Sequence, residues 1–279
     1  MRKAELLEAL GSRRLRLKKS LGQNYLIDPH VTRRAADACE LGPDDTVIEI
    51  GAGLGALTEL LAPRVKRLIA VEIDPQIAEL LAQRFRDAPN VEVVCRDILD
   101  FPWARYPGSL VVGAIPYQIT SPILVELCRP GRRLPAVWLG MQDEVARRLT
   151  AAPGTKAYGR LTVLVRYRFA VTRLMTLPRQ AFFPAPRVDS AWIKLAARPF
   201  SSVEVADEAL LFDVVKAAFS QRRKMLLNCL GELTVRRLSR QDAAQAIQRA
   251  GIAAGVRGET LSLEQFAQLT GAIQNLSVS

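Results

Sequence analysis

The chain has 279 residues, 49% hydrophobic and 24% charged, enough to bury one sizeable core and a smaller second one. Lysine and arginine total 39 against 28 acids, a formal charge of +11, and no block of like charges is long enough to read as disorder. No apolar run approaches the roughly 20 residues that a bilayer span needs. The opening MRKAELLEALGSRR carries Glu5 and Glu8 where a secretory signal would be apolar, so a cytoplasmic protein is expected.

Asp28-Pro29 predicts a capped helix running to about Leu41, with Val31, Ala35 and Cys39 on one face. ThrValIleGluIle at 46–50 predicts a buried strand that enters the glycines GAGLG at 51–55, followed by a helix to Ala62. The next strand spans Leu68–Ile73, and Asp74-Pro75 repeats the cap ahead of a helix to about Arg86. Val91–Cys95, Leu110–Val112 and Ala136–Gly140 read as further strands. Strands alternating with amphipathic helices predict an α/β fold, a mostly parallel sheet covered on both faces. From Pro199 onward the pattern is helical only, with Glu208–Phe219 and Arg222–Leu230 the clearest segments. The expected organisation is an α/β domain over 1–198, with a basic N-terminal arm, and a small all-helical domain over 199–279.

Two small counts exclude whole chemistries. The single histidine, His30, removes Ser-His-Asp catalysis and zinc sites built on paired histidines, and its place at a helix start reads as surface or capping. Cys39, Cys95, Cys128 and Cys229 lack CxxC spacing, so they read as reduced core residues and no metal is expected. The positive charge is clustered. Arg13, Arg14, Arg16, Lys18 and Lys19 fall together, ten basic residues from Arg129 to Arg173 face only Asp143 and Glu144, and Arg222, Arg223 and Lys224 precede Arg236, Arg237 and Arg240. Any one cluster reads as a solvated helix face; three of them favour a nucleic-acid partner.

The residues that carry chemistry lie at strand ends. Glycines at 51, 53 and 55 let a backbone approach a ligand closely, and Glu72, 21 residues after Gly51, suits a carboxylate that accepts ribose hydroxyls. Gly51, Gly53 and Ala56 also satisfy a dinucleotide fingerprint, which keeps a nicotinamide-dependent oxidoreductase open. Asp97, after the third strand, is placed to bind an adenine amine, although an aspartate there can equally cap a turn. Glycines, ribose acid and adenine acid on three successive strands look like the S-adenosyl-L-methionine site of a Rossmann-like methyltransferase. GlyAlaIleProTyr at 113–117 resembles the loop with which methyltransferases address an exocyclic amino nitrogen. Such an amine donates its lone pair into the ring, and carbonyl acceptors on its N–H bonds localise that pair while an aromatic side chain stacks on the base. Tyr117 can stack, Pro116 stiffens the turn, and the Ile115 carbonyl can accept one N–H.

LysSerLeuGlyGlnAsnTyrLeu at 19–26, MetGlnAspGluValAlaArgArgLeu at 141–149, TyrGlyArgLeuThrVal at 158–163, PhePheProAlaProArgValAspSer at 182–190 and AlaPheSerGlnArgArgLysMetLeuLeuAsn at 218–228 extend the pattern. With them the chain resembles, nearly end to end, the KsgA family of small-subunit rRNA adenine dimethyltransferases. The resemblance implies transfer of methyl groups from S-adenosyl-L-methionine, leaving S-adenosyl-L-homocysteine, to N6 of two adjacent adenosines. Those adenosines lie in the 3′-terminal hairpin loop of 16S rRNA, within a pre-30S particle. It implies a cofactor site of Gln23, Asn24, Leu26, Gly51, Gly53, Glu72, Ile73, Asp97, Ile98 and Ala114. The target base would meet Ala114, Ile115, Pro116 and Tyr117, with Phe182 packing opposite Tyr117. Arg13, Arg14, Arg16, Lys18, Arg147, Arg148, Arg222, Arg223 and Lys224 would track rRNA phosphates. A monomer with no membrane partner is expected.

One position departs from the family. Ala114 stands where the family writes Asn, whose side chain accepts a hydrogen bond from the target amine. Two alternatives follow from the residues: a ribosome-assembly factor that binds without useful catalysis, and a related 23S rRNA adenine dimethyltransferase of the antibiotic-resistance type. The 182–190 and 218–228 segments favour the 16S branch.

Overall fold

Both Asp-Pro pairs start helices in the computed structural model, which describes residues 3–12, 22–198, 203, 205–221 and 224–276. The Asp28 carboxylate accepts the N–H groups of His30 and Val31, and Asp74 accepts that of Gln76, pairing donors that a helix start leaves open. His30 itself is exposed. These helices span Pro29–Asp37 and Pro75–Arg84, shorter than their sequence patterns. The first closes early because Cys39 N–H turns back to the Ala36 carbonyl at 3.1 Å, a tightened last turn. The helix expected after the glycines is only Thr58–Leu61 and passes into a 3-10 turn at Ala62–Arg64, where Pro63 lacks the N–H that an α-helix would need.

Among the described residues there are nine strands: β1 (Tyr25–Leu26), β2 (Thr46–Ile50), β3 (Arg67–Glu72), β4 (Val91–Cys95), β5 (Leu110–Ala114), β6 (Ala136–Gln142), β7 (Phe169–Leu177), β8 (Phe182–Phe183) and β9 (Ser190–Ala197). Seven form one sheet in the order β4-β3-β2-β5-β6-β9-β7, while β1 pairs with β8. Strands β2 to β6 are mutually parallel and β9 runs antiparallel to β6. The chain winds outward from β2 through β3 and β4, then returns to β5 on the other side of β2. That reversal leaves a crevice at the carboxyl ends of β2 and β5, where such sheets bind ligands. Val47, Ile48, Leu68, Ile69, Val111 and Val112 are fully buried, the continuous apolar pattern of strands covered on both faces. Strands β7 and β9 have no counterpart in the sequence reading. Edge strand β7 is mostly exposed and shows no apolar alternation.

Two compact units divide the chain: residues 1–127, 133–146 and 172–197 in one, and 128–132, 147–171 and 198–279 in the other. The division drawn from sequence at 198/199 differs in 128–132 and 147–171, which pack with the helical residues. The Tyr158 hydroxyl donates to the Leu261 carbonyl at 2.7 Å across 103 residues of chain, and Arg168 pairs with Glu208 at 2.6 Å. The helical unit contains Arg160–Arg168, Glu208–Ala218, Arg240–Arg249 and Leu263–Gln274, the last two started by Ser239 and Ser262 capping boxes. The helix expected over 222–230 is only Leu226–Cys229, followed by a 3-10 turn at Leu230–Glu232. Cys39, Cys128 and Cys229 are buried as their apolar segments predict; Cys95, at the end of β4, is exposed and is not a core residue.

Candidate active site

Strand β2 ends in a loop that only glycine can trace without strain. Gly51 and Gly53 have φ of 68° and 57°, in the left-handed region. A Cβ on Gly53 would stand 2.8 Å from the Tyr25 ring, so the close approach of β1 also requires glycine there. The loop is tied to β3 by Gly51 and Ala52 N–H groups donating to the Val71 carbonyl. It is tied again by Gly53 N–H donating to Glu72 Oε2 at 2.9 Å, while Asp74 N–H donates to Oε1 at 3.0 Å. Glu72 is therefore a buried, oriented carboxylate at the end of β3, and its burial raises its pKa. Each of its oxygens keeps capacity for a further donor.

At the end of β4, Asp97 caps the 3-10 turn Ile98–Asp100 through Leu99 N–H at 2.9 Å and also lines the crevice. Capping and lining are both realised. Ile73 is 40% exposed, an apolar surface beside Glu72. At the end of β5, Ile115 N–H donates to the Gly140 carbonyl, and Pro116 opens the 3-10 turn Tyr117–Ile119. The Tyr117 and Ser190 hydroxyls are 2.6 Å apart. Opposite in the chain, β8 holds Phe182 against Leu26 of β1, and the Ala181 carbonyl accepts Ile27 N–H at 2.8 Å.

One pocket gathers these strand ends. It is lined by every residue that the sequence placed around cofactor and base: Gln23, Asn24, Leu26, Gly51, Gly53, Glu72, Ile73, Asp97, Ile98, Ala114, Ile115, Pro116, Tyr117 and Phe182. Glu49, Tyr25 and Ser190 line it too, and sequence reading missed all three. Glu49 is 2% exposed in the middle of β2, where Thr58 Oγ1 donates to it at 2.7 Å and burial pushes its carboxyl up to about 8. Its signal was available: an acid inside an otherwise apolar strand. The buried Tyr25 hydroxyl has no hydrogen-bond partner among the described residues, and burial raises its pKa. Nothing local in the sequence marks that atom.

Among the described basic residues, Arg96 lines this pocket. Arg147 and Arg148 sit on the helix Asp143–Leu149, and Lys224 is exposed. Arg13, Arg14, Arg16, Lys18, Lys19, Arg222 and Arg223 lie outside the described residues. Several members of the charge clusters make internal contacts. Arg173 pairs with Asp143, Arg168 with Glu208, and Arg236 donates to the Ile273 carbonyl at the end of the last helix. The charge count alone therefore overstates what is available to a partner.

A sheet of this order, with a glycine loop, successive acids and an amine-type loop at its carboxyl edge, defines a Rossmann-like methyltransferase. The family model described as Ribosomal RNA adenine dimethylase matches residues 14–275. The Ribosomal RNA small subunit methyltransferase A of Geobacter metallireducens is 42% identical over 268 residues, covering 94% of this chain and 97% of that protein. Among solved structures, the 23S rRNA methyltransferase ErmE is 30% identical with a TM-score of 0.63, covering 90% of this chain and 100% of that one. A dimethyladenosine transferase from Plasmodium falciparum shares the fold at a TM-score of 0.72 and 24% identity, over 88% of this chain and 95% of that one. The chain belongs to the ribosomal RNA adenine dimethylase family of methyltransferases.

Proposed function

We propose that this chain dimethylates N6 of two adjacent adenosines in the 3′-terminal hairpin loop of 16S rRNA, acting on a pre-30S particle in the cytoplasm as a monomer. The observation that carries the reading is the single pocket in which Gly51, Gly53, Glu72 and Asp97 meet Tyr117 and Phe182. The small-subunit relative's 42% identity, against 30% for the 23S enzyme, favours the 16S substrate.

The pocket fits S-adenosyl-L-methionine by its donor set. Glu72 is buried and already holds two backbone N–H groups, so it suits the neutral hydroxyl donors of a ribose. The Tyr25 hydroxyl, without a partner among the described residues, offers a further polar contact, and a glycine loop without side chains leaves the backbone accessible. Gln23, Asn24 and Leu26 line the site from the β1 side, while Ile73, Asp97 and Ile98 would hold the adenine. When bound, the cofactor supplies an electrophilic methyl group on a sulfonium and leaves as S-adenosyl-L-homocysteine. The chain orients the acceptor. Tyr117 and Phe182 hold the base out of its stack, and the Ile115 carbonyl takes one amine N–H, turning the nitrogen lone pair toward the methyl. The acceptor amine would be neutral and its proton could pass to water, so the chain need supply no general base. The basic residues of the helical unit, with Arg147, Arg148 and Lys224 among them, hold rRNA phosphates.

Ala114 supports a second reading, an assembly factor that binds without useful turnover. By comparison with deleting one oxyanion-hole donor, absence of the Asn acceptor is worth on the order of 10²–10³ in rate, roughly 2.7–4 kcal/mol. The test is methyl transfer from labelled S-adenosyl-L-methionine to undermethylated 30S particles, comparing this chain with Ala114→Asn. A large gain with Asn identifies a weakened dimethyltransferase whose acceptor side chain matters. Equal, substantial rates would show that the backbone and Tyr117 suffice. Labelling of 23S rRNA alone would overturn the substrate assignment.

A further inference from the structure

The family-like segment at 182–190 ends in Asp189-Ser190, and neither residue has a part in the reading above. Ser190 touches one aromatic wall of the pocket, and Asp189 bonds the turn that leads into the other. Ser190 is fully buried at the start of β9, where its backbone is fixed opposite Gln142 of β6. Its hydroxyl stands 2.6 Å from the Tyr117 hydroxyl, so the free end of an otherwise half-buried ring is anchored to the sheet. One residue earlier, Asp189 Oδ1 accepts Arg179 N–H at 2.9 Å, and the Asp189 carbonyl accepts Asp143 N–H at 3.2 Å. Arg179 opens the 3-10 turn Arg179–Ala181 that delivers Phe182. Two consecutive residues therefore reach both rings. One bonds a ring directly, and the other bonds the turn that presents the second.

We propose that Ser190 is a positioning residue for the methyl acceptor: its hydroxyl holds the Tyr117 ring at the angle from which it meets the target base, and Asp189 steadies the turn on the Phe182 side. The proposal rests on the assignment of Tyr117 and Phe182 to the base site. A tyrosine ring attached only through its Cα–Cβ stem rotates about two torsions; a bond at the far end removes that freedom. The effect falls on the base rather than on the cofactor, since Glu72, Gly53 and Asp97 are held by bonds that do not involve Ser190. In a chain with Ala114 in place of an acceptor side chain, more of the aiming of the amine falls to these rings.

The experiment compares Ser190→Ala, Tyr117→Phe and the double variant, with turnover measured in the Ala114→Asn background to bring the rate into range. Each single change removes one end of the same bond, so each should lower kcat on undermethylated 30S particles by about three- to tenfold, and the double variant should lose no more. Affinity for S-adenosyl-L-homocysteine should stay within about twofold. In parallel, NMR of tyrosine-labelled protein reads the ring itself: Ser190→Ala should move the Tyr117 ring signals and speed ring flipping. An unchanged Tyr117 spectrum, multiplicative losses in the double variant, or a matching loss of cofactor affinity would overturn the proposal. Absence of methyl transfer by the parent chain and its Ala114→Asn form would instead refute the proposed function, and the NMR comparison would still decide whether Ser190 fixes the ring.

Discussion

Glu49 and Glu72 are the two buried carboxylates of the pocket wall, and they are held differently. Glu72 accepts the backbone N–H groups of Gly53 and Asp74 from the glycine loop and the next helix start, whereas Glu49 is held by Thr58, through its hydroxyl and its backbone, and its carboxyl rises to about 8. The consequence for stability has a definite sign. An acid whose pKa is higher folded than unfolded binds more protons in the folded state between the two values. Its contribution is complete below about 4.5 and is lost as pH climbs toward about 8. Glu49→Gln keeps the shape and a partner for Thr58 but does not titrate. Its melting temperature should fall less between pH 5 and pH 8 than that of the parent chain. Equal falls would mean that Glu49 is solvated enough to ionise at ordinary pH.

Elements are placed by contacts that a single added methyl would break. In the helical unit, a Cβ on Gly258 would lie 2.4 Å from the Ala218 carbonyl oxygen, at the end of the helix Glu208–Ala218. A backbone oxygen on a helix cannot rotate aside as a side chain can. Gly258→Ala should therefore destabilise the fold by about 1–3 kcal/mol, seen as a lower melting temperature with stabilisation by S-adenosyl-L-homocysteine retained. An unchanged melting temperature would show that the 3-10 turn Gly258–Thr260 shifts freely. Gly53 presents a contrasting clash with the Tyr25 ring, a side chain of β1 at the pocket itself.

At the scale of the whole molecule, the formal charge of +11 is distributed unevenly in its consequences. Arg168 and Arg173 are paired with acids and Arg236 with helix-end carbonyls, so their charge serves folding first. Reversing Arg147, Arg148 and Lys224 to Glu should weaken binding to pre-30S particles and make the dependence of log affinity on log salt shallower, as fewer counterions are displaced. Filter binding across a salt series reads both quantities. An unaltered slope would make these residues a solvated face and leave rRNA contact to the other basic groups.

Much of the site was legible in the sequence, because its parts are local. An acid before a proline caps a helix wherever it stands, an apolar run beside glycines makes a strand end, and Glu72, Asp97 and Tyr117 each follow their own strand. Strand alternation was enough to find the first five sheet strands and to make their sheet mostly parallel; their order came from the tertiary structure. Strands β7 and β9 were not legible: one is an exposed edge without alternation, and the other stands beyond the wound α/β pattern. The grouping of 147–171 with the helical unit was hidden for the same reason, since Tyr158 meets Leu261 across 103 residues. Tertiary structure alone decided which buried polar groups have partners. It gave Glu49 its hydroxyl from Thr58, left the Tyr25 hydroxyl without a partner among the described residues, and set Ser190 against Tyr117. Sequence spacing carries capping and periodicity, which act over a few residues; desolvation and side-chain pairing depend on what the rest of the chain folds against them.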